Sequence, residues 1–519
     1  MRAPVLIVLL LGTLIVFRGV DFAHRLASPD FVALAFAEGG DDGYYFFTVA
    51  RNLGTGQGIT VDGVHWTTGF QPLWAVICAV AFALAPDRGA LALIYVASFA
   101  LWLGGAWLLV RFVRAARGGD LSPLAAALVA TLFLGESQFA QSYFNGMETG
   151  LYITLCLGLL VAFQTHLRGF PASNTRLVWL GALAGLTMLA RNDGVFLCAA
   201  IIGVMLISGT RLWPVREAVI IGGVASLLVL PWLLYCLWAS GDFMPQSGIA
   251  TSASLRGRPD WVEVASKLAL SIVPLMGLKI RSLVEAHVAP AIVLTAAGMA
   301  ALAIQWRRDR EAWHDRASGW VLASLAAAGL LLLLYYPLFS SAIQFFERYF
   351  SPIKLLVLIV LSLAVARLLA RMPPSLAGAV AACSFAAVVV GSHLYWTWRD
   401  FYLPFRGYIG EMAYAVVRSP LVTGSAARLG FAESGRIGFL YPDRVVNLDG
   451  KMRVDALDAL RHDRFARFVQ SAGFDFIVLH DFDIRFFDKV APGWSDGYER
   501  ADDIATFTVF ARKRGPGKD

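Results

Sequence analysis

The chain has 519 residues, of which 58% are hydrophobic and only 16% are charged. A soluble globular protein needs more polar surface than this composition supplies, and apolar stretches of near membrane-spanning length recur along most of the chain. The net charge of +7 does not indicate a nucleic-acid partner. The arginines lie mainly in short loops between apolar stretches, where they act as topology signals.

These apolar stretches predict about eleven spanning helices. The predicted spans are 4–20, 89–110, 121–136, 149–163, 178–190, 193–208, 218–238, 288–305, 319–339, 352–370 and 375–394. A signal peptide is the alternative for residues 4–17, but no small-residue cleavage site follows, so we expect a retained first helix. All five cysteines lie inside apolar stretches and indicate buried small hydrophobes rather than a disulfide framework.

The positions of the basic residues predict which connections face the cytoplasm. Basic loops occur at 111–117, 168–176, 211–216, 307–316 and 367–371, and they alternate with connections that carry few positive charges. The positive-inside rule makes them cytoplasmic. The outer face then holds 21–88, 137–148, Arg191–Gly194, 239–287, 340–351 and everything after 395. With these assignments the stretch 71–84 is a re-entrant or interfacial helix; that it spans instead is the alternative.

The sequence changes character at about residue 396, where apolar runs shorten and charges rise. We therefore expect a transmembrane domain over 1–395 and a small extracytoplasmic α/β domain over 396–519. Within the second domain, the patterns predict strands at 435–441, 444–448, 474–480 and 505–512, and a helix over 454–473 that Gly473 stops. The final segment, 512–519, is predicted to be a disordered tail.

The first outer loop, 21–88, carries two adjacent acids, Asp41 and Asp42, just before a helical pattern from Tyr44 to about Leu53. A helix cap explains one carboxylate but not the second. Near a bilayer, two neighbouring carboxylates resist joint ionisation unless a cation, a metal or a substrate hydroxyl compensates. The acidic pair is therefore a candidate functional site.

This loop resembles that of the GT-C membrane glycosyltransferases. The likeness rests on one span, an early acidic pair, a helix that ends in Arg51–Asn52, and a G-x-G segment before an interfacial helix. It is greatest for bacterial family 39-like members with DDAYYYFTVARN-like and NGFHPLW-like segments. The mycobacterial arabinofuranosyltransferases are more distantly similar. Protein O-mannosyltransferases and the lipid A aminoarabinose transferase share the architecture but have Asp-Glu where this chain has Asp41-Asp42.

Weaker matches to the same family extend over most of the chain. They are NGMETG with Glu148, ARNDG with Arg191 and Asp193, GDFMPQS with Gln246, ERYFSP with Arg348 and Tyr349, and RVVNLDG with Asn447, where an acid is common. The resemblance implies a GT-C-like fold and a substrate site on the outer face.

Each match also has a purely structural interpretation. Glu148 can cap the helix that starts at Thr149, and Arg191 can neutralise Asp193. Arg348 and Tyr349 can serve as interfacial anchors. His65, in the first outer loop, is interpreted foremost as an ordinary loop residue. The shared placement of these residues on one face favours function.

Transfer from a polyprenyl-phospho-sugar needs a base for the acceptor hydroxyl and a cation for the departing phosphate. Asp41 or Asp42 can supply the base, with Asp41 favoured because Asp42 is better placed to cap the helix. Arg348 is the first choice for the phosphate and Arg191 the second. His65, Lys279 and Arg281 are held in reserve. No cofactor is indicated with certainty; a divalent cation bridging the two aspartates stays an open alternative.

The sequence thus predicts a polytopic α-helical membrane glycosyltransferase of the bacterial cytoplasmic membrane. Its expected partners are a polyprenyl-phosphate-sugar donor, a glycan, lipid or protein acceptor, and membrane lipids. A polytopic transporter or lipid flippase is the main alternative, but it would place ionisable residues along a path through the spans. A membrane scaffold whose C-terminal domain does the binding is a further alternative.

Overall fold

The structure, a computed structural model, describes residues 2–36, 41–169, 173–208, 214–272, 315–342, 346–371, 375–402, 415, 419–420, 426–504 and 506–513. The predicted span 288–305, the basic residues Lys279 and Arg281, and nearly all of the basic loop 307–316 lie outside the described residues. So does most of the predicted tail.

The first part of the chain is helical. Its helices are α1 (Arg2–Ala27), α2 (Phe31–Leu34), α3 (Asp42–Gly54), α4 (Pro72–Leu84), α5 (Asp87–Ala116), α6 (Pro123–Leu134), α7 (Ser137–Phe144), α8 (Thr149–Arg168), α9 (Asn174–Ala190), α10 (Gly194–Ile207), α11 (Pro214–Ser240), α12 (Gln246–Ala250), α13 (Ala253–Arg256), α14 (Trp261–Ile272), α15 (Arg316–Phe339), α16 (Phe346–Tyr349), α17 (Ser351–Arg371) and α18 (Leu376–Tyr402). Long apolar runs become helices here because a bilayer offers no partner for backbone polar groups.

Seven of the described helices are long and apolar enough to cross a membrane: α1, α5, α8, α11, α15, α17 and α18. The bent pair α6 and α7, with a 60° angle at the break, would make an eighth. The prediction of about eleven spans is thus higher than this count. The predicted spans at 178–190 and 193–208 are helices α9 and α10, but these have only 17 and 14 residues. At about 1.5 Å per residue, both fall short of a hydrocarbon core about 30 Å thick.

The break between α6 and α7 follows from local chemistry. Glu136, in the break, accepts from the Gln138 N–H at 3.3 Å and lies 2.8 Å from the Lys354 ammonium. A buried carboxylate paired in this way stabilises the bend.

The apolar stretch 71–84 forms α4, a helix of 13 residues that packs against α3 and α5. Its length agrees with the re-entrant or interfacial interpretation, because it is too short for a simple crossing. Helix α3 itself runs from Asp42 to Gly54, as the helical pattern of the first outer loop predicted.

The C-terminal domain is a mixed five-stranded sheet with helices on its connections. Its elements are β1 (Leu429–Phe431), α19 (Gly435–Leu440), β2 (Val445–Asn447), α20 (Val454–Arg461), α21 (Phe465–Ala472), β3 (Phe476–His480), α22 (Asp481–Val490), β4 (Tyr498–Ile504) and β5 (Phe507–Arg512). The strand order is β2-β1-β3-β5-β4. The first three strands are parallel, with Leu429 opposite Val445 and Phe476, and β4 and β5 are antiparallel.

Two element predictions in this domain were wrong. Residues 435–440 form a helix instead of a strand, because Ile437 packs on the sheet while Phe439 packs in the transmembrane core. The alternating apolar residues of this segment therefore face two different hydrophobic cores and do not mark one buried face of a strand. The helix predicted over 454–473 is two helices, broken at Asp463, whose φ is 53°. Gly473 ends the second helix in the left-handed region, as predicted.

Candidate active site

The first acid of the pair is held by the C-terminal domain. Asp41 is only 6% exposed, and its Oδ1 accepts from the Arg436 N–H at 2.6 Å while Oδ2 accepts from the Gly435 N–H at 2.5 Å. Burial raises the pKa of the Asp41 carboxyl to about 6, and the two N–H groups and the Arg436 charge oppose that rise. Both carboxylate oxygens of Asp41 thus take part in the contact between the two domains.

This contact requires close backbone approach. A Cβ atom on Gly435 would collide with the Asp41 carbonyl, and one on Gly69 would collide with the Lys451 carbonyl. Glycine is therefore needed at these two of the contacts between the first outer loop and the C-terminal domain. The Tyr45 hydroxyl strengthens the junction by accepting from the Ser434 N–H at 2.9 Å.

The second acid, Asp42, is the first residue of α3 and faces a cation. Its side chain is 20% exposed, and its Oδ2 lies 4.0 Å from Nη1 of Arg348. We expected Asp42 to cap α3, but Asp41 is the capping residue, and it makes no side-chain cap hydrogen bond. The more accessible carboxylate of the pair is therefore that of Asp42.

Arg348 lies in α16, immediately before α17. Its Nη1 lies 2.6 Å from the Met147 sulfur, and its guanidinium is 5.4 Å from the centre of the Tyr349 ring. The side chain is 17% exposed. Nearby carboxylates, chiefly that of Glu148, outweigh burial and raise the pKa of Arg348. The structure thus brings Arg348, Tyr349 and Asp42 together.

Arg191 is already neutralised. Its Nε and Nη2 donate to the two oxygens of Asp193 at 3.0 Å each, and its Nη1 donates to Glu148 at 2.8 Å. The Tyr336 hydroxyl also donates to Asp193, at 3.0 Å, and its ring stacks on Tyr349 at 4.2 Å. The pairing of Arg191 with Asp193, which the sequence offered as the structural alternative, is therefore present. Glu148 precedes α8 but makes no cap hydrogen bond.

His65 and Gln246 hold loops in place. His65 is exposed, and its Nδ1 lies 2.8 Å from Asp62, which also pairs with Arg453 at 2.8 Å. Gln246 is fully buried, and its Oε1 accepts from the Thr68 N–H at 2.9 Å. Among the described residues, no hydrogen bond or ion pair joins either of them to the acidic pair, so these two predicted substrate residues are not brought together with Asp42 and Arg348.

The C-terminal domain adds charged residues that the sequence did not single out. Glu433 follows β1 and Lys451 follows β2, and the charges of both interact with that of Asp42. Burial raises the pKa of Glu433 to about 8. The Lys451 ammonium lies 3.2 Å from Asp449 Oδ2. The RVVNLDG match ended one residue before Lys451, but no signal in the sequence joins Asp42 to the loop that follows β2.

A divalent cation bridging Asp41 and Asp42 does not fit well. Among the described residues, no group of three or more His, Cys, Asp or Glu side chains is arranged to hold a metal ion. Both oxygens of Asp41 also accept backbone N–H groups. The described part of the site instead combines a partly exposed carboxylate with two nearby cations. That combination can accept a proton and stabilise a developing anion.

Solved structures share this fold over nearly the whole chain. ArnT from Cupriavidus metallidurans bound to undecaprenyl phosphate matches with a TM-score of 0.59 at 12% identity, covering 96% of this chain and 98% of that one. The apo form of the same protein gives 0.60 at 13% identity, with the same coverage. The Archaeoglobus fulgidus oligosaccharyltransferase in complex with Zn and sulfate gives 0.57 at 13% identity, covering 98% of this chain and 73% of that one.

The chain is thus a polytopic helical membrane protein that shares the fold of ArnT and of the archaeal oligosaccharyltransferase and has a small C-terminal mixed-sheet domain. This likeness confirms the predicted fold class. No protein-family model matches the sequence, and no curated protein matches it.

Proposed function

We propose that this protein transfers a sugar from a polyprenyl-phosphate donor to a hydroxyl of an envelope glycan, lipid or protein acceptor. The single observation that carries the proposal is the 4.0 Å approach of Arg348 to the partly exposed carboxylate of Asp42. This pair lies in a fold shared with an ArnT that binds undecaprenyl phosphate. An archaeal relative in fold, AglB, was solved with an inhibitory peptide and a dolichol-phosphate.

In the proposed reaction, Asp42 takes the proton of the acceptor hydroxyl as its oxygen attacks the anomeric carbon. The bond from that carbon to the phosphate oxygen breaks, and polyprenyl phosphate leaves with the bonding electron pair. Arg348 meets the departing phosphate, whose negative charge increases during the step. The products are the glycosylated acceptor, polyprenyl phosphate and the proton.

The sequence favoured Asp41 as the general base, whereas we now assign this role to Asp42. Asp41 was favoured because Asp42 was expected to cap α3, and that cap hydrogen bond is not found. Asp41 instead binds the N–H groups of Gly435 and Arg436, so we assign it a positioning role. The guanidinium groups of Arg191 and Arg348 lie 5.2 Å and 5.4 Å from the centre of the Tyr349 ring, so we assign Arg191 a supporting role at that ring.

The transporter alternative has less support. Several ionisable side chains are buried in the helical part, but they are paired: Arg25 with Asp21 at 3.1 Å and Lys354 with Glu136 at 2.8 Å. The Arg25–Asp21 pair lies within α1, and the Lys354–Glu136 pair lies at the bend between α6 and α7, so each of these charges has a partner inside the protein.

We further propose that the protein resides in the cytoplasmic membrane of a bacterium with the C-terminal domain, residues 396–519, outside. Residues 1–395 would form the transmembrane domain. The basic connections support this orientation through the positive-inside rule.

The test is an assay of the purified full chain in nanodiscs with synthetic polyprenyl-phospho-sugars. We expect time-dependent release of polyprenyl phosphate that depends on the sugar and on Asp42. Comparison of envelope glycans by mass spectrometry, with and without the gene, would identify the product. Unchanged glycans together with no release from any polyprenyl-phospho-hexose or -pentose would contradict the proposal.

A further inference from the structure

The carboxyl ends of the three parallel strands place charged residues at one edge of the C-terminal sheet. Glu433 comes two residues after β1, Asp449 and Lys451 follow β2, and Asp483 lies in α22, directly after β3. Strands β2, β1 and β3 are neighbours in that order and run parallel. In open sheets with parallel strands, ligands bind outside the carboxyl ends of the strands.

A fifth residue reaches this edge from the helical part. The guanidinium of Arg256, at the end of α13, lies 4.4 Å from the centre of the Phe486 ring in α22. Leu255 beside it packs on the core of the C-terminal domain. The charge of Arg256 interacts with those of Asp483 and Lys451. We call Arg256, Glu433, Asp449, Lys451 and Asp483 the edge cluster.

Three buried polar atoms of the edge cluster have no hydrogen-bond partner within the described part of the chain. They are Nη2 of Arg256, Oε2 of Glu433 and Oδ2 of Asp483. Asp483 is only 2% exposed. Native proteins rarely leave such atoms unsatisfied, and three of them in one cluster indicate hydrogen bonds made to a ligand.

The composition of the edge cluster indicates the chemistry of that ligand. It combines three carboxyl groups with two cations, so neither sign of charge is in large excess. Carboxylates accept hydrogen bonds, whereas guanidinium and ammonium groups donate them. A sugar hydroxyl both donates and accepts, so a ring with several hydroxyls can satisfy both kinds of group at once.

We infer that the edge cluster binds the hydroxyl-rich ring of an uncharged sugar. The inference rests on the proposed function and deepens it, because the charges of Glu433 and Lys451 also interact with that of Asp42. Ser434, the neighbour of Glu433, donates its N–H to Tyr45 in α3, the helix that Asp42 begins, so a ring held here lies on the side of the C-terminal domain that meets α3. That ring belongs either to the donor or to the acceptor, and the same hydroxyl chemistry serves both.

The experiment uses the purified full chain in nanodiscs and the methyl glycosides of mannose, glucose, galactose and arabinose. Saturation-transfer NMR reports which glycoside binds. We expect at least one to bind the wild type, and Asp483→Leu and Arg256→Met to weaken that binding at least tenfold. Asp483→Leu removes an unsatisfied buried oxygen, so its thermal unfolding should match or exceed that of the wild type. Arg256→Met also removes the 2.7 Å hydrogen bond from its Nε to the Ala250 carbonyl, so it should fold with a lower thermal midpoint. Asp481→Asn, an exposed acid at the start of the same helix, is the matched control.

Competition with a polyprenyl-phospho-sugar separates the two sources of the ring. If the donor displaces the glycoside, the donor's sugar occupies the edge cluster; if both bind together, the acceptor's sugar does. Absence of binding by every glycoside, or wild-type binding in folded Asp483→Leu and Arg256→Met, would overturn the inference. Cluster-dependent binding without turnover of any polyprenyl-phospho-sugar would instead contradict the proposed function alone.

Discussion

Asp41 accepts a hydrogen bond of 2.6 Å from the backbone N–H of Arg436, although 395 residues separate them. The bond joins the first outer loop to the C-terminal domain directly beside Asp42. A carboxylate that accepts backbone N–H groups fixes the position of the segment that donates them. The C-terminal domain is therefore part of the candidate active site and not an appendage to it.

The two adjacent aspartates should differ when each is changed to asparagine. Asp42→Asn removes the proposed base, and we expect transfer to fall by roughly 10²–10⁴-fold with unchanged thermal unfolding. Asp41→Asn places an amide against N–H donors, and we expect it to lower stability by about 1–3 kcal/mol. Release of polyprenyl phosphate and thermal unfolding of the purified variants measure the two effects.

The adjacent position serves as the control in each case, since the two variants change charge equally. Full activity of Asp42→Asn would exclude Asp42 as the base. Loss of activity in Asp41→Asn without any loss of stability would return the base to Asp41, the residue favoured from sequence.

Arg348 is expected to act on the phosphate through its shape as well as its charge. Arg348→Lys keeps the charge but loses the bidentate fork, so turnover should fall substantially; Arg348→Ala should lower it further. Protein level should change little, because the side chain is partly exposed. The same donor assay measures both variants. If lysine supports near-normal turnover, Arg348 is an interfacial anchor instead.

Much of the helical part could be predicted because its signal is local. Every predicted span in the described residues is a helix, since a run of apolar residues needs no distant partner to form one. Helices α9 and α10 are apolar but short, so they account for two of the predicted spans that are not among the seven longer helices. Whether such a helix crosses the membrane depends on its neighbours, and a sequence pattern does not report them.

The sequence predicted some residues of the candidate site and missed others. The acidic pair and Arg348 stand in recognisable segments, and the structure brings Asp42 and Arg348 to 4.0 Å. Glu433 and Asp483 are acids in ordinary surface-like segments, and only the parallel sheet brings them to one edge. A single sequence does not indicate which residues hundreds of positions apart will be in contact, so these two acids could not be predicted.

The buried network of Arg191, Glu148 and Asp193 should be essential for folding. Arg191→Met leaves two buried carboxylates without their cation, and we expect a loss of about 3–5 kcal/mol. Thermal unfolding and protein yield measure it. Adding Glu148→Gln and Asp193→Asn to the same chain removes the uncompensated charge, so stability should recover in part. A stable but inactive Arg191→Met protein would indicate that Arg191 binds substrate.

Orientation in the membrane is tested by cysteine labelling with a membrane-impermeant maleimide. A cysteine at Gly118, in the basic loop after α5, should react only in opened cells, whereas one at Asp502, on exposed β4, should react in intact cells. The native cysteines are buried or half-buried, so the unmodified chain is the background control. Labelling at position 118 from outside intact cells would reverse the proposed topology.

Stability should decrease as the pH rises from about 5 to 8. Burial raises the pKa of Asp41 to about 6, of Asp483 to about 7 and of Glu433 to about 8. At pH values between the usual pKa of a carboxyl group and these raised pKa values, the folded protein binds more protons than the unfolded chain. The free energy of unfolding therefore falls as the pH rises.

Thermal unfolding of the purified chain across this range measures the slope. Glu433→Gln should flatten the slope over the whole range from about pH 5 to 8, because its pKa is raised to about 8. Asp502→Asn, an exposed acid, should leave the slope unchanged. A Glu433→Gln profile parallel to that of the wild type would show that this carboxyl titrates at its ordinary pKa.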